Sequence, residues 1–191
     1  MATQDSRIKI KRSTITATVP TVPSSNDHTD GTWIATDIYK GELFFNQADG
    51  VLWSRDDNGV VCLGGSASLT ISSADVLTLN STPITIVGAV AGYAIEVVSA
   101  SVKIDFNSAA YATNTTLIVL TGGATDSQYR IGGSLAATVS THRVGVPNSI
   151  STASATQLIE NADLLVSVDT GDPTAGDSDI TVFVNYRLIP A

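Results

Sequence analysis

A single cysteine, Cys62, stands in 191 residues. No disulfide can form within the chain, so its stability has to come from packing or from association with other copies. No apolar run approaches the roughly 18 residues of a membrane span. Met1–Asp5 lacks the basic-then-apolar layout of a signal peptide, and the expectation is a chain made in a cytoplasm and not inserted into a membrane. Charge is scarce at 15% of residues, and basic charge scarcest: 10 Lys and Arg face 18 Asp and Glu, for a net charge of −8. Sequence-independent binding to nucleic acid runs on Lys and Arg contacts to phosphate, so no nucleic-acid partner is expected.

What remains is 43% hydrophobic and rich in Ser, Thr, Ala, Val and Gly. That is enough for a sizeable core, and it favours short strands and turns over Glu/Lys/Leu-rich helices. The fold class expected is all-β. Positive charge gathers at the front: residues 1–65 carry six Lys and Arg against eight acids, and residues 66–191 carry four against ten.

The first division, residues 1–65, opens with Arg7-Ile8-Lys9-Ile10-Lys11-Arg12-Ser13-Thr14. In an extended strand Arg7, Lys9 and Lys11 share one face and Ile8, Ile10 and Arg12 the other. Lysines there either guard an exposed edge or dock on an acidic surface. Thr18–Asp27, with two prolines, reads as an extended arm. A strand at Trp33–Thr36 and another at Gly41–Phe45 follow. Ala48-Asp49-Gly50 then turns the chain into Val51-Leu52-Trp53, and Asp56–Gly59 turns it again into Val60–Leu63. The result is a small β meander with an arm. So small a unit is expected to need partners, with Ile8, Ile10, Leu43, Phe45, Leu52 and Trp53 forming a core shared between copies.

Residues 66–191 change character, with hardly a charge among Thr, Ser, Val and Ile. Strands are expected at 68–71, 76–79, 84–87, 94–106, 115–120, 136–140, 157–160, 164–168 and 180–189, the long one bent near Ser99. About eight strands joined by Gly- and Asn/Ser-rich turns describe an antiparallel β-sandwich of jelly-roll type.

Chemistry is thin. His28 and His142 lie in no catalytic motif, no serine sits in a nucleophile elbow, and no acidic pair stands out, so no enzyme is expected and no cofactor. Asp169, Asp172, Asp177 and Asp179 offer oxygen ligands to Ca²⁺, but without EF-hand spacing; the alternative is a solvated acidic turn. Phe44, Phe45, Trp33 and Trp53 either stack on a sugar or fill a threefold interface.

The N-terminal block resembles a segment of tailed-bacteriophage virion proteins. The resemblance rests on Arg12-Ser13-Thr14, Gly41-Glu42-Leu43-Phe44-Phe45-Asn46, Asp49-Gly50 and Leu52-Trp53, about a third of the chain. The gap between Thr14 and Gly41 is longer than in that pattern. Gly176-Asp177-Ser178-Asp179 and Tyr186-Arg187 are also similar to the closing domain of phage fibres and spikes. The resemblance implies a homotrimer in the virion, attached to a capsid or tail protein through Arg7, Lys9, Lys11 and Arg12. A head fibre or capsid decoration protein is the reading the short chain favours. The alternatives are a tail fibre or receptor-binding protein and a carbohydrate-binding module with a host-surface glycan as partner.

Overall fold

The computed structural model describes residues 10–25, 31–124, 126–148 and 158–190. Arg7, Ile8, Lys9 and His28 lie outside them. The chain divides into two units, Met1–Gly64 and Gly65–Ala191.

In the first unit, β1 (Lys11–Ser13), β2 (Leu43–Asn46), β3 (Val51–Arg55) and the opening residues of β4 (Val60–Ile71) lie side by side in that order. The β2–β3 hairpin turns where expected, with Gly50 at φ 66°. At the next turn the Asp56 carboxylate accepts the N–H groups of Asn58 and Gly59 at 2.7 and 3.0 Å. Two features differ from expectation. β1 joins the sheet parallel to β2 and so stands outside the meander, with Lys11 opposite Phe44 and Arg12 opposite Phe45. Trp33–Thr36 forms no strand, because Asp37 accepts the Ile34 N–H at 2.9 Å and the Thr21 hydroxyl at 2.6 Å and bends the chain there.

The second unit is an all-β sandwich. One sheet runs β4, β12 (Asp179–Pro190), β6 (Tyr93–Asp105), β9 (Thr141–Val144). The other runs β5 (Ile84–Val87), β11 (Leu164–Val168), β7 (Leu117–Thr121), β8 (Ser127–Ile131), β10 (Val146–Pro147). Counting β9 and β10 as the two halves of one strand, the orders are 1-8-3-6 and 2-7-4-5. This is the jelly-roll arrangement of two interlocked Greek keys, and its strands pair antiparallel. Alternation along the strands supplies the core: Val102, Ile104, Val182 and Val184 from one sheet and Leu117, Val119, Leu164 and Val166 from the other are at most 1% exposed.

The strand that changes sheets bends at Gly145, whose N–H donates to the Ala100 carbonyl at 2.8 Å. A Cβ there would meet Ile131 Cγ1 at 3.0 Å and two carbonyl oxygens at 3.2 Å, so any side chain at this corner would force its neighbours back by a few tenths of an ångström. The bend expected near Ser99 is a bulge. Asn185 pairs with Ser99 and Tyr186 with Val97, which leaves Val98 as the extra residue.

Three expected strands are corrected. Residues 76–79 belong to a short helix, α1 (Ser73–Val76), and its following turn. Ser72 caps it, accepting the Asp75 N–H, and Val76 and Leu79 are both fully buried at helical spacing. Residues 136–140 hold the end of a 3₁₀ turn (Ser134–Ala136) that buries Leu135, and the strand begins only at Thr141. Of 157–160, Gln157 lies outside the described residues and Glu160 makes a lone bridge to Ala94. β8, with its polar text Ser-Gln-Tyr-Arg-Ile, was not expected at all.

Candidate functional site

The residues of the N-terminal pattern meet at one place in the first unit. Lys11 projects from β1 to the side of the sheet that also carries Phe44. Its ammonium donates to the Asp37 carbonyl at 2.7 Å and to Glu42 Oε2 at 2.9 Å, and it lies 4.5 Å from the Trp33 ring centre and 5.6 Å from that of Tyr39. Burial alone would raise the pKa of Glu42. The Tyr39 N–H at 2.8 Å and the Lys11 ammonium outweigh it, and the net shift is downward. Hydrogen bonds from the Thr21 hydroxyl and the Ile34 N–H likewise hold Asp37 below its ordinary value.

Asn46 and Asp49 sew the arm to the hairpin. The Asn46 amide donates to Asp49 Oδ2 at 2.6 Å and to the carbonyls of Ile15 and Thr18 at 3.1 and 3.2 Å. Asp49 Oδ2 also accepts the Ala17 N–H at 2.6 Å, and the Gln47 N–H reaches the Ser13 carbonyl at 2.8 Å. Gly41 takes φ 80° just before Glu42. The patterned residues therefore form a clasp, with the extended segment Lys11–Thr18 held against the turn of the β2–β3 hairpin.

This clasp gives the sheet two unlike faces. Ile38, Phe44, Val51 and Trp53 are at most 2% exposed within a single copy. The unit thus has a small core of its own, and Trp53 belongs to it rather than to a surface shared between copies, because it pairs with Phe44 across β2 and β3. The opposite face stays open. Leu43, Phe45 and Leu52 are only partly buried, Ile10 is 45% exposed, and Val61 and Leu63 on β4 are 39% and 54% exposed. Arg12, opposite Phe45, is exposed on β1 and has no ion-pair partner among the described residues. Of the four cations expected to attach, Lys11 is engaged inside its own unit, Arg12 is free, and Arg7 and Lys9 lie outside the described residues.

The four C-terminal carboxylates do not converge. Asp169 pairs with Arg130. Asp172 accepts the N–H groups of Asn80 and Ser81 at 2.8 and 2.9 Å, and Asp179 accepts that of Ser73 at 2.8 Å. Asp177 gathers the Ser108 hydroxyl at 2.5 Å, the Asn107 amide at 3.0 Å and the N–H groups of Ser108 and Ala109 at 3.1 and 2.9 Å. These bonds, the Ser108 hydroxyl first, draw the Asp177 pKa down, and backbone and side-chain bonds from Ser81 do the same for Asp172. Each carboxylate is taken up by a different set of partners within the domain. No group of three or more His, Cys, Asp or Glu among the described residues could hold a metal ion. His142 sits on β9 opposite Lys103.

Two polar residues of structural weight escaped the sequence reading. Gln128, 6% exposed, reaches from β8 to β6, accepting the Val97 N–H at 2.7 Å and donating to the Ile95 carbonyl and the Thr121 hydroxyl, both at 2.8 Å. The Tyr129 hydroxyl donates to the Val98 carbonyl beside it. Together they replace the neighbour that β6 lacks beyond the end of β9. A lone polar pair in a short strand gives no sign of this in the sequence.

No family model matches the chain, and no curated protein does. Among solved structures it is similar to a chain of the cyanophage Pam1 capsid asymmetric unit, at 15% identity and a TM-score of 0.36, over 65% of this chain and 82% of that one. No helix among the described residues is long and apolar enough to cross a membrane.

Proposed function

We propose that this chain is a non-enzymatic structural component of a tailed-phage virion, of the head-fibre or capsid-decoration kind. Its N-terminal unit attaches to the particle and associates as a trimer, and the jelly roll is displayed outward. The observation that carries this reading is the two-faced N-terminal sheet, which closes one face with Phe44, Val51 and Trp53 and leaves Ile10, Leu43, Phe45, Leu52 and Leu63 incompletely covered on a single copy. Removing such side chains from water is worth about 1.5–3 kcal/mol apiece when burial is complete. Threefold association would collect that gain three times over, and a patch of this kind is a recognised mark of an interaction surface.

The residues resembling the phage attachment segment coincide with the clasp, which supports the same reading. Lys11 holds the clasp shut, so the docking charge falls to Arg12 together with Arg7 and Lys9.

Light scattering on the purified chain tests the proposal. A trimer is expected for the wild type and a monomer for Phe45→Asp with Leu52→Asp, with the melting of the second unit unchanged. Replacing Arg7, Lys9 and Arg12 by Ser should preserve the trimer and abolish incorporation into particles. A monomeric wild type, or normal incorporation of the serine variant, would overturn the corresponding half of the proposal.

A further inference from the structure

The change of sheets at Gly145 opens a depression in the second unit. β9 accompanies β6 only from Ser101 to Ile104, and β10 then leaves to pair with β8. Beside the uncovered part of β6 lies a cavity of about 510 Å³, within the ordinary range of small-molecule sites. Its apolar walls are Val98 of the bulge, the Tyr129 ring, Pro147 and Leu158, and its charged lining is Glu96 and Arg187. Those two residues face each other across β6 and β12, with Arg187 Nε donating to Glu96 Oε2. This one bond leaves Glu96 Oε1 and both Arg187 Nη atoms without a protein partner among the described residues. Donors and an acceptor therefore stand side by side next to an apolar wall, at the open rim of the depression.

We propose that this depression binds a neutral sugar through two adjacent hydroxyl groups. The Nη atoms donate to the hydroxyl oxygens and Oε1 accepts a hydroxyl proton. The C–H face of the ring rests on Val98, Tyr129 and Pro147. The charges of Arg187 and Glu96 cancel, so the site offers no net attraction to an anion or a cation; a diol, both donor and acceptor, matches it group for group. The proposal gives the expected glycan partner a location. It lies wholly in the second unit and stands or falls independently of the attachment reading.

Saturation-transfer NMR on the full chain with the methyl glycosides of glucose, galactose and mannose tests it. Transfer to at least one glycoside is expected, strongest at the C–H protons of one ring face, with a Kd of about 1 mM. Glu96→Gln and Arg187→Lys should each weaken binding about tenfold while the circular dichroism spectrum is retained. The monomeric variant Phe45→Asp with Leu52→Asp should bind the same sugar as the wild type. Absence of transfer to all three glycosides, an unchanged titration in the Glu96→Gln, Arg187→Lys double variant, or tighter binding of glucuronate than of glucose would overturn it.

Discussion

Replacing Gln128 by Met keeps nearly the same side-chain volume and removes three hydrogen bonds at once. Thr121 can turn its hydroxyl elsewhere, but the Val97 N–H and the Ile95 carbonyl are main-chain groups fixed in β6 and have no other partner in reach. Each orphaned buried group costs about 1–3 kcal/mol, and burial of the thioether returns part of that, so the net loss is about 3 kcal/mol. For a domain of this size 1 kcal/mol moves the melting temperature by about 3–5 °C, which places the second unit of the variant about 10 °C below the wild type. Differential scanning calorimetry reads this directly. Gln128→Glu sharpens the test, because its carboxylate still accepts from Val97 but faces the Ile95 carbonyl with lone pairs only. Protonation supplies the missing donor, so the pKa of the introduced carboxyl is raised in the fold. Its cost should be greatest above the raised pKa, shrink as the solution is acidified through that value, and be relieved once the pH is below about 4.3, the unfolded value. A Gln128→Met protein melting within about 2 °C of the wild type, or a Gln128→Glu protein with no such pH dependence, would refute the idea that a side chain stands in for the missing strand.

Two further outcomes concern the C-terminal loops. Gly176 has φ 91°, and a Cβ there would lie 2.3 Å from the Tyr111 ring, so Gly176→Ala should cost about 3 kcal/mol or more in urea unfolding. Burial, with Asp179 and Asp177 nearby, pushes the Tyr111 phenol up to about 12, while it donates to the Ser178 carbonyl at 2.7 Å. The fold thus favours the neutral phenol, a contribution fully present below about pH 10 and lost as pH rises toward 12. Tyr111→Phe should flatten that alkaline decline in a pH series of thermal melts while costing about 1 kcal/mol at neutral pH.

Much of the architecture was legible because alternation is a strong signal. Strands such as β6, β11 and β12 carry inward Val, Ile and Leu at every second position, and the Asp-Gly and Asn-Gly turns of the meander announce themselves. The errors have physical causes. Val76-Leu77-Thr78-Leu79 is an apolar run too short for periodicity to assign, but Val76 and Leu79 share a face only in a helix, and Ser72 with Asp75 was the capping signal that decides. β8 was invisible because Gln128 and Arg130 serve particular partners rather than a period. At the candidate site the pattern residues were found, but their division was not. Trp53 turns inward opposite Phe44 in the hairpin, and Lys11 joins that face because β1 pairs in the register that sets it opposite Phe44, a register that is not written in local sequence.

The first and last strands of the jelly roll, β4 and β12, lie side by side in register from Gly65–Tyr186 to Ile71–Ile180. Because the two strands run antiparallel, Gly65, where the chain enters this domain, sits beside Tyr186 near the end of the last strand, so unravelling from that corner must break the main-chain bonds of the ladder one after another up to Ile71 and Ile180.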